Sequence, residues 1–160
     1  RAAAAVRKLQ GRIFGFIGGR SLGIDTGSFD PMQWKKLFQI DSDHIDHEEI
    51  VRRAEAIDES RVEAVFRWLV DSVGSVKYDE KLTEERLKYQ VACYLATKDI
   101  IADRHLDFGA IKCMPDMTNF RAPQCISTAL LNGGYDADGE FDPFPISCEA
   151  DADGALTMEM

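Results

Sequence analysis

Continuous apolar runs alternate along this chain with stretches in which apolar positions return every three or four residues. "GRIFGFIGG" (11–19) reads as a buried strand that breaks at Gly18-Gly19, and the loop "RSLGIDTGSFD" follows. A helix then starts at "DPMQWKKLF", with Asp30 as its cap, Pro31 at the first helical position and Gln33 completing a capping-box pattern. "FQI" (38–40) is the expected second strand, ending at Asp41. Asp46 and Glu49 form another capping-box pattern ahead of "HEEIVRRAEAI". Val62, Val65, Phe66, Leu69 and Val73 have the spacing of a one-sided helix, with Gly74 as its stop.

"TEERLKYQVACYLATKDIIADRH" is the longest expected helix, with Leu87, Val91, Tyr94, Leu95 and Ile101 inward. Glu84 and Glu85 fall in its first turn, where the helix dipole favours acids. "LDFGAIKC" is a third strand, and "APQCISTALLNGG" a helix with Pro123 near its start and Gly133 after its end. "FPISC" is a fourth strand, and a helix-like run closes the chain.

Apolar strands alternating with helices predict an α/β fold. A parallel sheet is flanked by helices on both faces, in a three-layer domain of Rossmann-like or flavodoxin-like kind. The loop "GGYDADGEFDPFP" is the natural boundary, dividing residues 1–142 from 143–160. The chain starts without Met and stops inside a helical pattern, so the domain is expected to be truncated at both ends, a piece of a longer protein.

Charge removes some partners. The formal net charge of −9 over 160 residues repels nucleic-acid phosphates and anionic lipid, so neither is expected. No apolar run approaches the roughly 20 residues that span a bilayer, and "RAAAAVRKLQ" lacks the apolar core of a signal peptide. Cys93, Cys113, Cys125 and Cys148 form no CxxC pair and have no histidine at zinc spacing. They read as free buried thiols in a reducing compartment.

In an open parallel sheet, ligands bind outside the carboxyl ends of the strands. The expected ends carry Gly18-Gly19-Arg20-Ser21, Asp41-Ser42-Asp43-His44, Lys112-Cys113-Met114-Pro115-Asp116 and Glu149-Ala150-Asp151. The glycine loop has neither GxGxxG nor GxxxxGK[ST], which disfavours a nucleotide. It reads as a tight turn, with Arg20 and Ser21 available to hydroxyls. His44 and His47 sit beside Asp43 and Asp46 like a metal pair, but Asp46 caps a helix and the histidines lie at a charged, exposed helix start. The two "DADG" repeats lack the acid spacing of an EF-hand. In an extended segment, Glu149 and Asp151 would face the same side, where paired carboxylates suit Mg²⁺ or Mn²⁺. Asp151 would equally serve as the cap of "GALTMEM".

"GGRSLGI", "EIVRRAEAI" preceded by a Trp and an Asp, "AIKC" and above all "CEADADGALTM" resemble, in order and spacing, the L-fucose isomerase family, which shares its fold with L-arabinose isomerase. The resemblance covers nearly the whole chain and is thinnest at 59–80. It implies that residues 1–142 are the middle α/β domain and 143–160 the start of a C-terminal catalytic domain. It further implies aldose–ketose isomerisation through an enediol, of the L-fucose/L-fuculose or D-arabinose/D-ribulose type. Mn²⁺ or another divalent cation, a cytoplasmic location and a homo-oligomer, hexameric in the family, come with it. Asp151 matches the family's metal-binding Asp in E-x-D-x-x-G, and Glu149 fills the motif's Glu as a second ligand or proton carrier. Arg20, Ser21, Leu22 and Asp116 are the sugar-contact candidates, with Asp116 or Glu149 as a replacement ligand. The sequence departs from the pattern at Thr128, where the family carries a second metal-binding Glu. A non-catalytic sugar- or effector-binding α/β domain is the alternative.

Overall fold

Alternate side chains of Ile13–Ile17 (β1) leave the strand on opposite faces, and each set finds its own buried cluster. Ile13 and Ile17 join one, Phe14 and Phe16 the other. A computed structural model describes residues 2–160 and shows how both are covered. β1 pairs in parallel with Asp41–Ile45 (β2) on one side and with Phe108–Ile111 (β3) on the other. A two-stranded antiparallel hairpin, Tyr135–Asp136 (β4) with Gly139–Glu140 (β5), interrupts the series. Ile146–Cys148 (β6) then pairs in parallel with β3, so the main sheet has the order β2-β1-β3-β6.

Among the described residues eight α-helices surround it: Ala2–Leu9 (α1), Pro31–Phe38 (α2), His47–Ala56 (α3), Glu59–Val73 (α4), Glu84–Asp103 (α5), Asp116–Phe120 (α6), Cys125–Gly133 (α7) and Ala152–Glu159 (α8). Residues of α3, α4, α5 and α7 build the cluster on one face, with Val91, Tyr94, Leu95 and Ile100 of α5 fully buried at its centre. Burying a large apolar side chain of this kind contributes about 1.5–3 kcal/mol. On the other face Trp34 of α2 and Ala152, Ala155 and Leu156 of α8 close over Phe14, Phe16 and Phe108. Ring centroids there lie 5.0 Å (Phe14–Phe108) and 5.1 Å (Phe14–Trp34) apart. The expected three-layer parallel α/β architecture is observed, and the strand and helix after residue 142 complete the same sheet and core.

Local differences have physical reasons. The second strand is Asp41–Ile45 rather than 38–40: Phe38 ends α2, and Gln39 takes a left-handed φ of 58° that terminates it. "DSDHI" carries no apolar pattern because β2 is an edge strand, bonded to β1 alone. The end of that strand is consequently Ile45-Asp46-His47, not the stretch from Asp41 to His44. Asp30 caps α2 as expected, accepting from the Met32 and Gln33 amides. Asp46 caps α3, but Glu49 turns outward to Arg53 and Arg104 instead of closing a capping box. α7 runs through Gly133, and Gly134 is the left-handed residue that stops it. Val73 lies at the end of the one-sided helix and is 56 % exposed. All four cysteines are free, yet only Cys93 and Cys113 are buried, while Cys125 and Cys148 are exposed.

The β4–β5 hairpin is tied down by Asp136, which is buried and accepts from Tyr94 Oη (2.5 Å) and Lys98 Nζ (2.6 Å). Burial alone would push that carboxyl up. The Lys98 and Tyr94 donors outweigh it and hold Asp136 below the usual carboxylate range.

Candidate functional site

The chain leaves β1 toward β2 on one side and then crosses to β3 on the other. This creates a crevice at the carboxyl ends of β1 and β3, the place where such sheets bind ligands. Gly18 and Gly19 end β1 with φ of 84° and 74°, conformations that cost a glycine nothing. They turn the chain sharply into Ser21, which is fully buried.

Ser21 meets Glu149 there. The segment after β6 is not extended: Glu149 and Ala150 both take left-handed φ, 54° and 56°. Each such non-glycine residue costs roughly 1–2 kcal/mol. This turn overturns the expectation that Glu149 and Asp151 share one side of a strand. Glu149 points back into the sheet edge, where Oε2 accepts from Ser21 Oγ at 2.7 Å and from the Met114 amide at 3.1 Å. Its Oε1 accepts from Cys113 Sγ at 2.8 Å. Burial alone would push the Glu149 carboxyl up, but these donors together hold it below its ordinary value of 4.5. Cys113, desolvated and beside that carboxylate, is pushed up to about 11 and stays a thiol donor.

Asp151 goes elsewhere, capping α8 by accepting from the Gly154 amide at 2.9 Å. The other candidates also separate. Arg20 folds onto its own loop, reaching Asp25 at 2.5 Å and the Ile24 carbonyl at 3.2 Å. Leu22 is 87 % exposed and lines a hollow of about 190 Å³ with Met114 and Pro115. Asp116 opens α6, 3.5 Å from the Lys112 ammonium. Thr128 uses its hydroxyl on its own helix, donating to the Gln124 carbonyl at 3.0 Å.

A divalent cation held by Asp151 and Glu149 meets one carboxylate, Glu149, whose two oxygens already accept from protein donors, and another, Asp151, that uses Oδ1 on the Gly154 amide. Among the described residues, no three His, Cys, Asp or Glu side chains gather as a metal-holding group. Glu149 is turned to Ser21, Cys113 and Met114 while Asp151 is turned to the start of α8, so as placed the two do not fit one shared ion. Glu149 is also poorly matched to carrying a proton, since its environment makes it a weak base.

A second hollow lies beside this cluster, about 380 Å³ in volume, at the ends of β1, β2 and β3. His47, expected at an exposed helix start, is instead half-buried and reaches over Gly18 to the Lys112 carbonyl at 2.7 Å. A β-carbon on Gly18 would stand 1.9 Å from His47 Nε2. Sequence reasoning treated Lys112 and Cys113 only as strand-end and core residues. Their signal was the parallel pairing of β3 with β1, which sets residues 112–114 beside Gly18–Ser21.

Compared with known proteins, the chain matches no family model and no curated sequence.

Proposed function

We propose that this chain is part of a ketol isomerase interconverting an aldose and a ketose of the L-fucose or D-arabinose type, as the motif resemblance implies. One observation carries the reading: three segments marked by that resemblance, at 18–24, 110–113 and 148–158, converge on one carboxylate through Ser21, Cys113 and Glu149. In this reading Glu149 organises the sheet edge and is the positioning residue of the site, because its oxygens are filled by protein donors. The resemblance assigns residues 1–142 to the middle domain and 143–160 to the opening of the catalytic one, although β6 and α8 of the latter pack in the sheet and core of the former. The Mn²⁺ implied by the resemblance would supply Lewis-acid chemistry when bound. It needs ligands beyond Asp151 and Glu149. Oligomeric assembly and a cytoplasmic location belong to the same proposal.

A second reading, a non-catalytic sugar- or effector-binding domain, draws on Thr128, whose hydroxyl is turned onto its own helix where the family carries an acid. The two part on one assay with the complete gene product. Ketose formation from L-fucose or D-arabinose that stops on chelation and returns with Mn²⁺ supports the isomerase. Sugar binding that persists under chelation, with no ketose formed at any metal concentration, supports the binder. Neither turnover nor binding would dispose of both.

A further inference from the structure

The hollow at the ends of β1, β2 and β3 holds groups that the Glu149 cluster leaves unused. The Lys112 side chain is only 15 % exposed, and its nearest carboxylate is Asp116 at 3.5 Å, which is itself 63 % exposed. Among the described residues the Lys112 ammonium makes no hydrogen bond closer than this pair. A largely desolvated ammonium with unused donors calls for an acceptor. Its backbone, by contrast, is fixed from both sides: the amide donates to the Ile17 carbonyl at 2.9 Å, and the carbonyl accepts from His47 Nε2 at 2.7 Å. In that bond the Nε2–H of the imidazole donates to the carbonyl. The opposite wall is aromatic. His44 lies 5.3 Å from the Phe16 ring, edge to face, and is stacked on Phe29 at 6.0 Å.

Charge decides what kind of molecule fits. The hollow is lined by one ammonium, Lys112, against two carboxylates, Asp46 and Asp116. An anion would meet a net negative lining, and a cation would meet Lys112. A neutral ligand carrying both donors and acceptors suits all three. Its hydroxyls would accept from Lys112 and donate to Asp116, and its C–H faces would lie on Phe16 and His44. We infer that this hollow is a polyol pocket, in which Lys112 and Asp116 hold the hydroxyls of a neutral sugar and His44 its C–H face, beside the Glu149 cluster. The ligand class rests on the sugar reading above; the pocket and its residues are additional to it.

Amide NMR on the ¹⁵N-labelled protein, titrated separately with L-fucose, D-arabinose and inorganic phosphate, tests this. Sugar is expected to move the amides of Gly18, Gly19, His44 and Lys112, and phosphate to leave them in place. Asp116→Asn, at an exposed position that does not threaten the fold, and Lys112→Met should each weaken the sugar response about tenfold. Sugar shifts confined to Ser21, Met114 and Glu149, or unweakened in Asp116→Asn, would overturn the pocket while leaving the sugar reading in place. A phosphate response at Lys112 would make it an anion site and overturn the inference. No response to either sugar would remove the pocket and leave the isomerase reading to the assay on the complete gene product.

Discussion

The buried hydroxyl of Ser21 donates to Oε2 of Glu149 across 2.7 Å and 128 positions of sequence. The bond joins the loop after β1 to the left-handed turn after β6, and it is charge-assisted. Ser21→Ala should cost about 2 kcal/mol and move the Glu149 carboxyl upward, toward 4.5. Because the folded value lies below the unfolded one, the stabilisation from Glu149 is present above the unfolded pKa. It is lost as pH falls through the folded value. Ser21→Ala should therefore show a shallower loss of stability on acidification. A carboxyl ¹³C titration of Glu149 that does not move in the variant would show that Ser21 does not hold the charge.

Gly18 and Gly19 make a matched pair. Both have left-handed φ, but a β-carbon at Gly19 meets nothing, whereas one at Gly18 runs into the His47 ring. Gly19→Ala should cost about 1 kcal/mol, and Gly18→Ala at least about 2 kcal/mol more from overpacking. Urea unfolding of the two variants compares them directly. Equal losses would mean that His47 is not seated over β1.

Thiol labelling should divide the cysteines in two. Cys125 and Cys148 are exposed, so iodoacetamide should modify both in the folded protein. Cys93 and Cys113 are buried, each with its thiol pushed up to about 11, first of all by desolvation, and should react only after unfolding. Mass spectrometry of the native and denatured reactions reads the count, and rapid native labelling of Cys113 would contradict the packing around Glu149.

Asp151 separates cap from chemistry. Asp151→Asn keeps an oxygen for the Gly154 amide and should leave stability within a few tenths of a kcal/mol, whereas Asp151→Ala should cost about 1 kcal/mol. In the isomerase reading Asp151→Asn also abolishes turnover of the complete gene product. Near-normal rates in that variant would leave Asp151 as a cap only.

The sheet was legible where strands are buried on both faces, because "IFGFI" and "FGAI" leave a parallel sheet little alternative. It was misread at β2, whose edge position lets polar residues occupy a strand. The apolar Phe38 and Ile40 beside it drew the expectation to 38–40, three residues before the strand begins at Asp41. The candidate residues were legible singly but not as a geometry. Nothing in "CEADADG" announces that Glu149 and Ala150 turn left-handed, since neither is glycine. That turn sends Glu149 toward Ser21 and Asp151 into a cap. The role of His47 was hidden because it depends on the missing side chain of Gly18, a contact between elements that spacing along the chain does not encode.

The polar β2 has a consequence beyond this subunit. Its outer rim is an open row of peptide groups, which in many proteins invites a neighbouring molecule to add its own strand. Here Asp41 is pinned by Lys35 at 2.6 Å and Asp43 by Arg104 at 2.8 Å. A second copy aligning the same rim would bring those acids against their equals and strip them of their partners. Fibril-like growth through this side is thereby opposed.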